Sequence, residues 1–467
     1  MHLQEVVVRP ISNQRFNAFA AYCRSPQALA IAEEILWFEA DDSRIVATII
    51  RDRPDSEFAG IILGRDERER YRWINATEFF KSKIQARAAL RAKIEEIIPI
   101  LEQHRKQGDN DKKPVDFFTP LKKTKQPLHQ SFLNLTNLEG FSPAKEIIEP
   151  MMRWHEDVDG NFVEQFQTTG FDSRIWELYL FSLFTEAGFI IDKSSAIPDF
   201  SCSGLAGEFC AEATTVNPSR DKKGKIVPPP PIETEEEMEA AIRDYFPIKF
   251  AGPLTEKLRK RYWERENVQG KPFILAIQDF QTPTAMTLTR DALPIYLYGY
   301  RQADDWSMED PKFERVETHQ WGTKTINSNF FSFEGAEYIS AVIFNSSATI
   351  SKFNRVGLQA GFGSDRVRLF RFGTVCKTEN GNPHITEYAH YVSEDAMVET
   401  WSEGLEVFHN PRAIHPLPME MLPDAAHHFM PDDGLMRSRL PDWLPTQSFT
   451  HIEVEELPPQ PDDNELF

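Results

Sequence analysis

The chain has 467 residues, 41% of them hydrophobic and 12% aromatic, which excludes wholesale disorder and leaves room for two or three domains with ample cores. Its net charge of −20 argues against broad, non-specific attraction to nucleic acid, though not against a local basic channel. No apolar run reaches the roughly 18 residues of a membrane span, and MHLQEVVVRPISNQR lacks a secretory apolar core, so a cytoplasmic protein with no membrane partner is expected. Cys23, Cys202, Cys210 and Cys376 show neither Cys-x-x-Cys nor zinc spacing, and a disulfide scaffold is not expected in a reducing compartment.

Residues 1–106 read as a separate α+β module. A helical run lies within Ser25–Ala40, and Arg44–Arg51, Glu57–Leu63 and Tyr71–Ile74 are β-rich, punctuated by RPDS and RDERE turns. From about Ser82 a helix carries Leu90, Ile94, Ile97, Ile98 and Leu101 on one stripe, with a kink expected at Pro99. No chemistry stands out, so a docking or regulatory module, with a protein partner, is the expected role. Residues 107–127, polar and basic at both ends, read as a linker.

Residues 128–350 form the expected core. Ser142-Pro143-Ala144-Lys145-Glu146 opens a helix with an N-cap and a proline at its first position. A second helix starts near Asp172 and is apolar nearly all round through Phe184, the mark of a buried helix. Glu177 is the single charge in Ile175–Phe184. It is either an acid favourably placed near a helix N-terminus or a carboxylate aimed at a site.

Ile197–Thr215 reads as a β-hairpin, with Gly204 and Gly207 supplying the tight turn. A two- or four-residue loop centred there puts Asp199 across from Glu212. Opposed side chains lie about 4.5–5.5 Å apart, and like charges there need a cation or a shared proton. The same period places Phe209, Ala211 and Ala213 on the core face and Cys210, Glu212 and Thr214 on the other, towards a cleft. One residue more or less in the loop would reverse this register.

Residues 217–252 read as an insertion, with Lys222, Lys223 and Lys225 before a run of prolines and a capping box at Thr234 and Glu237. It suits a lid or a loose surface excursion. Gly252-Pro253-Leu254 then opens a basic helix containing Lys257 and Lys260, with Leu254, Leu258 and Tyr262 towards the core. Phe273–Phe280 and Tyr338–Phe344 read as buried strands, separated by a helical segment around Thr287–Tyr298. The fold class is therefore α/β (α+β), a mixed sheet flanked by helices.

Residues 351–430 read as a β-rich C-terminal extension. Arg366–Phe372 (RVRLFRF) alternates basic and apolar positions, which fits an exposed strand better than a base-stacking surface. Gly357–Gly363 lacks the Gly-Lys-Ser/Thr of a phosphate loop, and His427-His428 reads as a surface pair. Residues 431–467 read as an acidic, Pro-rich, mobile tail.

A carboxylate helix, then Pro-Asp, then a strand bearing Glu-x-Lys is the pattern of the PD-(D/E)XK nuclease superfamily. Glu177, Pro198-Asp199 and Glu212-Ala213-Thr214 resemble it, over roughly residues 165–350. The departure is Thr214, which stands where the family has lysine. The resemblance implies a restriction-endonuclease-like core and a metal-dependent nuclease, in bacterial defence or nucleic-acid processing; the partner expected is nucleic acid, DNA ahead of RNA, with the sequence leaving the choice open. Asp199 and Glu212 would be ligands of Mg²⁺ or Mn²⁺, with Glu177 a ligand directly or through water. Thr214 can hold a water but cannot offset an oxyanion. Some family members take the lysine from the adjacent helix, and Lys257 or Lys260 stands in that place. The alternative is an inactive nuclease-fold protein that binds nucleic acid or protein. Paired carboxylates also suit a retaining glycosidase, but no sugar-stacking tryptophan cluster surrounds these positions.

Overall fold

The computed structural model describes residues 7–108, 113–156, 160–223, 225–282, 288–303, 312–379, 381–393, 397–431 and 434–456. An antiparallel meander comes first: β1 (Val8–Pro10), β2 (Ala32–Ala40), β3 (Ile45–Asp52), β4 (Phe58–Arg65) and β5 (Tyr71–Ala76). Between β1 and β2 lies helix α1 (Asn13–Ala20). Helix α2 (Lys83–Ile97) buries Ala86, Leu90, Ile94 and Ile97 against one face of this sheet, together with Ile45, Ala47 and Ile62. In place of the kink expected at Pro99, the helix ends at Ile97 and gives way to a 3₁₀ turn over Ile98–Ile100. In Ser25–Ala40 only Pro26–Ile31 is helical. From Ala32 the residues form β2, because Trp37 and Phe38 find partners along β3 that an isolated helix would not provide. The other face of the sheet, through Val46, Leu63 and Tyr71, shares the main core with Phe16 and Phe19 of α1.

The stretch 107–127 is not wholly a free linker. Phe117 is buried beside Phe162 and Phe166, and Gln167 Nε2 donates to the carbonyls of Phe117 and Thr119. An apolar Phe pair within a polar segment anchors it.

Around the site stand α3 (Ser142–Trp154), α4 (Phe171–Glu186), β6 (Ile190–Asp192), β7 (Phe200–Gly204), β8 (Gly207–Val216), α5 (Phe246–Arg259), β9 (Phe273–Asp279), β10 (Ala341–Asn345) and α6 (Ile350–Gln359). They are followed by β11 (Val367–Glu379), β12 (Asn382–Tyr391), β13 (Leu405–His409), β14 (Ala426–Phe429), β15 (Arg437–Arg439) and β16 (Trp443–Val454). The central sheet is mixed, in the order β15-β14-β13-β10-β9-β8-β7-β6. Strands β8, β9 and β10 run parallel, and every residue of β9 and β10 is buried, which accounts for the apolar runs Phe273–Ile277 and Ala341–Phe344. Residues of α3, α4 and α6 cover one face of the sheet, and residues of α5 cover the other. This is the mixed sheet flanked by helices that the pattern predicts.

Several details differ from the expectation. Helix α5 begins at Phe246, upstream of Gly252, with Pro253 inside it and Leu254 and Leu258 buried. The capping box at Thr234 and Glu237 is present, with both reciprocal hydrogen bonds, on helix Glu235–Ala240. Strands β13 and β14, from the expected C-terminal extension, complete the central sheet. Strand β16, from the expected mobile tail, pairs along β11. Residues 457–467 of that tail lie outside the described residues, as does Thr287. His427 and His428 are buried, not a surface pair, because β14 is flanked by β13 and β15. Arg371 of RVRLFRF is also buried, paired with Glu399 at 3.4 Å and Glu403 at 2.6 Å. Among the described residues no helix is long and apolar enough to cross a membrane.

Candidate active site where the hairpin arms meet the helices

The hairpin closes through Leu205-Ala206, with Gly204 opposite Gly207 and Phe200 opposite Ala211. Gly207 has φ +128°, a conformation that other residues rarely adopt. One step beyond Phe200, Asp199 meets Glu212. The Asp199 N–H donates to Glu212 Oε2 at 3.2 Å, and the Ala213 N–H donates to Asp199 Oδ2 at 2.8 Å. The Ile197–Pro198 bond just before is cis. Phe209, Ala211 and Ala213 are buried towards α4, where Phe209 meets Phe184 edge-on at 5.1 Å. Glu212 is on the opposite face as expected. It is only 5% exposed, however, covered by α5 and Tyr262 rather than open to the cleft.

Lys257 reaches back from α5 and places Nζ 2.6 Å from Glu212 Oε1. Buried Leu254 and Leu258 hold α5 against the sheet and so fix the root of that side chain. Lys260 does not join the site. It pairs with Glu256 at 3.7 Å and its side chain is 46% exposed. Of the two candidate lysines only Lys257 reaches the carboxylates; Lys260, the C-cap of α5, lies farther along the cleft wall. Thr214 is half-buried on the cleft wall, and Thr215 accepts or donates a hydrogen bond with Ser173 Oγ at 2.9 Å, tying α4 to β8.

Glu177 enters from α4, whose position is set by Trp176 Nε1 donating to the Ala276 carbonyl at 3.1 Å. Arg174, three residues earlier, donates to both Glu177 oxygens at 2.8 and 2.6 Å. Burial raises the Glu177 carboxyl above its ordinary range, Arg174 pulls it down, and Glu212 adds a push upward. The Asp199 carboxyl is raised to about 7, first by burial, then by Glu212 and Glu177. Lys193 donates to the Asp199 carbonyl at 2.6 Å and sits 4.4 Å from the Phe200 ring centre. Burial lowers the Lys193 ammonium, and Asp199 and Glu177 oppose that shift.

Neither Arg174 nor Lys193 is marked by the nuclease pattern. The first was legible as an i, i+3 partner of Glu177. The second depends on β6 folding back along β7, which no local spacing announces.

A cleft of about 1040 Å³ runs between α4 and α5 over the end of β8. Its lining carries five cations, Arg174, Lys257, Arg259, Lys260 and Lys324, against two acids, Glu177 and Glu256. The whole chain has 52 Lys and Arg against 72 Asp and Glu, so the cleft reverses the balance of the molecule. Asp199, Glu177 and Lys193 line a smaller cavity of about 60 Å³, which shares Arg174 and Glu177 with the larger cleft.

All the carboxylates here are oxygen donors of the kind that hard divalent cations take. Asp199 and Glu212 are adjacent and crowd one another. Among the described residues no group of three or more His, Cys, Asp or Glu is spaced to hold an ion together, so Glu177 does not complete a ligand set as it stands. No family model, curated protein or solved structure matches the chain.

Proposed function

We propose that the chain is a metal-dependent nuclease, a divergent relative of the PD-(D/E)XK superfamily that hydrolyses nucleic-acid phosphodiesters, DNA rather than RNA. The observation that carries the reading is the contact of Lys257 with Glu212 beside Asp199. It assembles a strand carboxylate pair and a lysine although position 214 has none. The basic lining of the adjoining cleft supports a polyanionic substrate on an otherwise acidic protein.

Asp199 and Glu212 would hold Mg²⁺ or Mn²⁺, since burial first, and then Glu212 and Glu177, raise the Asp199 carboxyl, and a cation would offset the crowding of the carboxylates. Such an ion, when bound, polarises the scissile phosphate and acidifies a water. Lys257 would orient that water and offset charge on the phosphate oxygens, the work that Thr214 cannot do. Arg259, Lys260 and Lys324 would seat flanking phosphates along the cleft.

The second reading is an inactive nuclease-fold protein that binds nucleic acid. It is favoured by the cations already on Glu177 and Glu212. Incubation with single- and double-stranded DNA and RNA in Mg²⁺, Mn²⁺ or EDTA separates the two. Metal-dependent cleavage that Asp199→Asn abolishes is the expected result. Binding without cleavage in any metal overturns the nuclease reading in favour of the second.

A further inference from the structure

We propose that a second cleft, beside the carboxylates, holds unpaired nucleobases, which makes single-stranded nucleic acid the substrate class and rests on the nuclease reading above. This cleft, of about 860 Å³, lies between the first turn of α4, the start of α6 and one face of β11 and β16. On that face Phe372 and Phe449 stack with ring centres 5.6 Å apart, Phe370 is 6.1 Å from Phe372, and Phe372 is 39% exposed. Large aromatic rings left open on a sheet provide the platform on which successive bases stack, whatever their sequence. The volume is well above that of one base and falls within the ordinary range of ligand sites.

The polar groups of the cleft suit base edges rather than phosphates. Ser346, Thr349 and Ser351 line it at the start of α6, and hydroxyls both donate and accept. Ser346 is 5% exposed, and its Oγ has no hydrogen-bond partner among the described residues. A buried hydroxyl left so is an interaction that a ligand can complete. Thr349, at the N-cap of α6, makes no side-chain cap hydrogen bond. The titratable side chains of the lining are His129, Asp172 and His451, in contrast to the five cations of the neighbouring cleft.

The two clefts are neighbours. Asp172 and Pro218 line the aromatic one, and Ser173 and Asn217 line the basic one, so they lie on either side of the first turn of α4 and the end of β8. A strand whose phosphates follow the cations would therefore present its bases to Phe372 and Phe449. A base-paired strand has no free base faces to offer there.

The test is fluorescence anisotropy of the full chain in EDTA with 20-mer oligo(dT), 20-mer oligo(rU) and a 20-base-pair duplex. One of the single strands is expected to bind about tenfold or more tighter than the duplex. Phe372→Leu and Phe449→Leu should each weaken that binding about tenfold, leaving duplex binding and the unfolding midpoint unchanged. Phe372→Trp, which keeps a stacking face, should retain it and controls for folding. Leu variants that bind the single strand as the wild type does, or a wild type that prefers duplex, overturn the base cleft. Metal-dependent cleavage with unaltered Leu variants refutes the base cleft alone. Phe-dependent binding without cleavage in any metal supports the base cleft and refutes the nuclease reading.

Discussion

Removing one carboxylate should make this protein more stable. Asp199 keeps its proton more tightly in the folded chain than in the unfolded one, because burial, Glu212 and Glu177 all oppose its ionisation. Its favourable contribution is therefore complete below the ordinary carboxylate range and is lost as pH rises through about 7. A displacement from 3.8 to about 7, at about 1.4 kcal/mol for each tenfold change in proton affinity, gives a ceiling of about 4 kcal/mol at alkaline pH. Partial exposure of the side chain screens part of this, which leaves about 2 kcal/mol. In Asp199→Asn the amide oxygen still accepts the Ala213 N–H, so the variant loses the charge and little else. Urea unfolding in EDTA, followed by tryptophan fluorescence at pH 5 to 8, should show the Asn variant more stable, by a margin that widens with pH. In Mn²⁺ at about 100 times its dissociation constant the wild type should regain about 2.7 kcal/mol and the variant nothing. A margin independent of pH, or an Asn variant weaker than wild type at pH 8 in EDTA, refutes the crowded-carboxylate account.

Lys257→Ala leaves buried Glu212 without its cation and should cost about 3–5 kcal/mol, with cleavage falling about 10²–10³-fold. Lys260→Ala should stay within about 0.5 kcal/mol and keep most of its activity; equal losses from the two in the same cleavage assay would undo the assignment. Gly357→Ala should destabilise by more than about 1 kcal/mol despite its better helix propensity, since the new Cβ would stand 2.3 Å from the Pro143 carbonyl oxygen; an unchanged urea midpoint would contradict that packing. Burial pushes the Glu399 carboxyl up, but Arg355, Arg371 and Lys352 together hold it far below its ordinary range. Its contribution is present above the ordinary carboxylate range and lost only in acid, so Glu399→Gln should cost about 3–5 kcal/mol with little change between pH 5 and 8. A margin that falls steeply over that interval would show another group in control.

The hairpin was legible because two local rules act together. Gly204 and Gly207 fix the turn, and the two-residue period of a strand carries that register out to Asp199 and Glu212. Where tertiary context decides, the sequence is a weaker guide. His427-His428 reads as a surface pair, but neighbours on both sides cover β14. His427 Nδ1 lies 2.8 Å from His409 Nε2, and His428 Nε2 lies 3.2 Å from Glu406 Oε2. Arg371 looks like a solvent-facing charge until Glu399 and Glu403 arrive from a segment some 30 residues downstream. The glycines at 357 and 363 lack the rest of a phosphate loop, and their role is close approach to Pro143.

On the proposed nuclease reading, Lys257 in place of a strand lysine makes physical sense from the geometry of β8. Glu212 and Thr214 are two residues apart and share the face that α5 covers. A lysine at 214 would approach Glu212 along the strand, whereas Lys257 approaches the same face from the helix above it. The charge delivered is the same, and the position vacated at 214 becomes a small polar wall of the cleft. Because Leu254 and Leu258 anchor the helix that carries it, the replacement lysine swings over a limited arc. That arc also bears on the ion pair. Lys257, Arg174 and Lys193 stand against Glu212, Glu177 and Asp199, so cations and carboxylates are matched in number at the hairpin itself. A dication entering alone would upset the balance. On the nuclease reading Asp199 and Glu212 would hold the dication, and Lys257 would pair with the phosphodiester, whose charge would offset that of the ion. The pairing of Lys257 with Glu212 is on this view the resting form of the site, held ready by the same contact that the reaction would break.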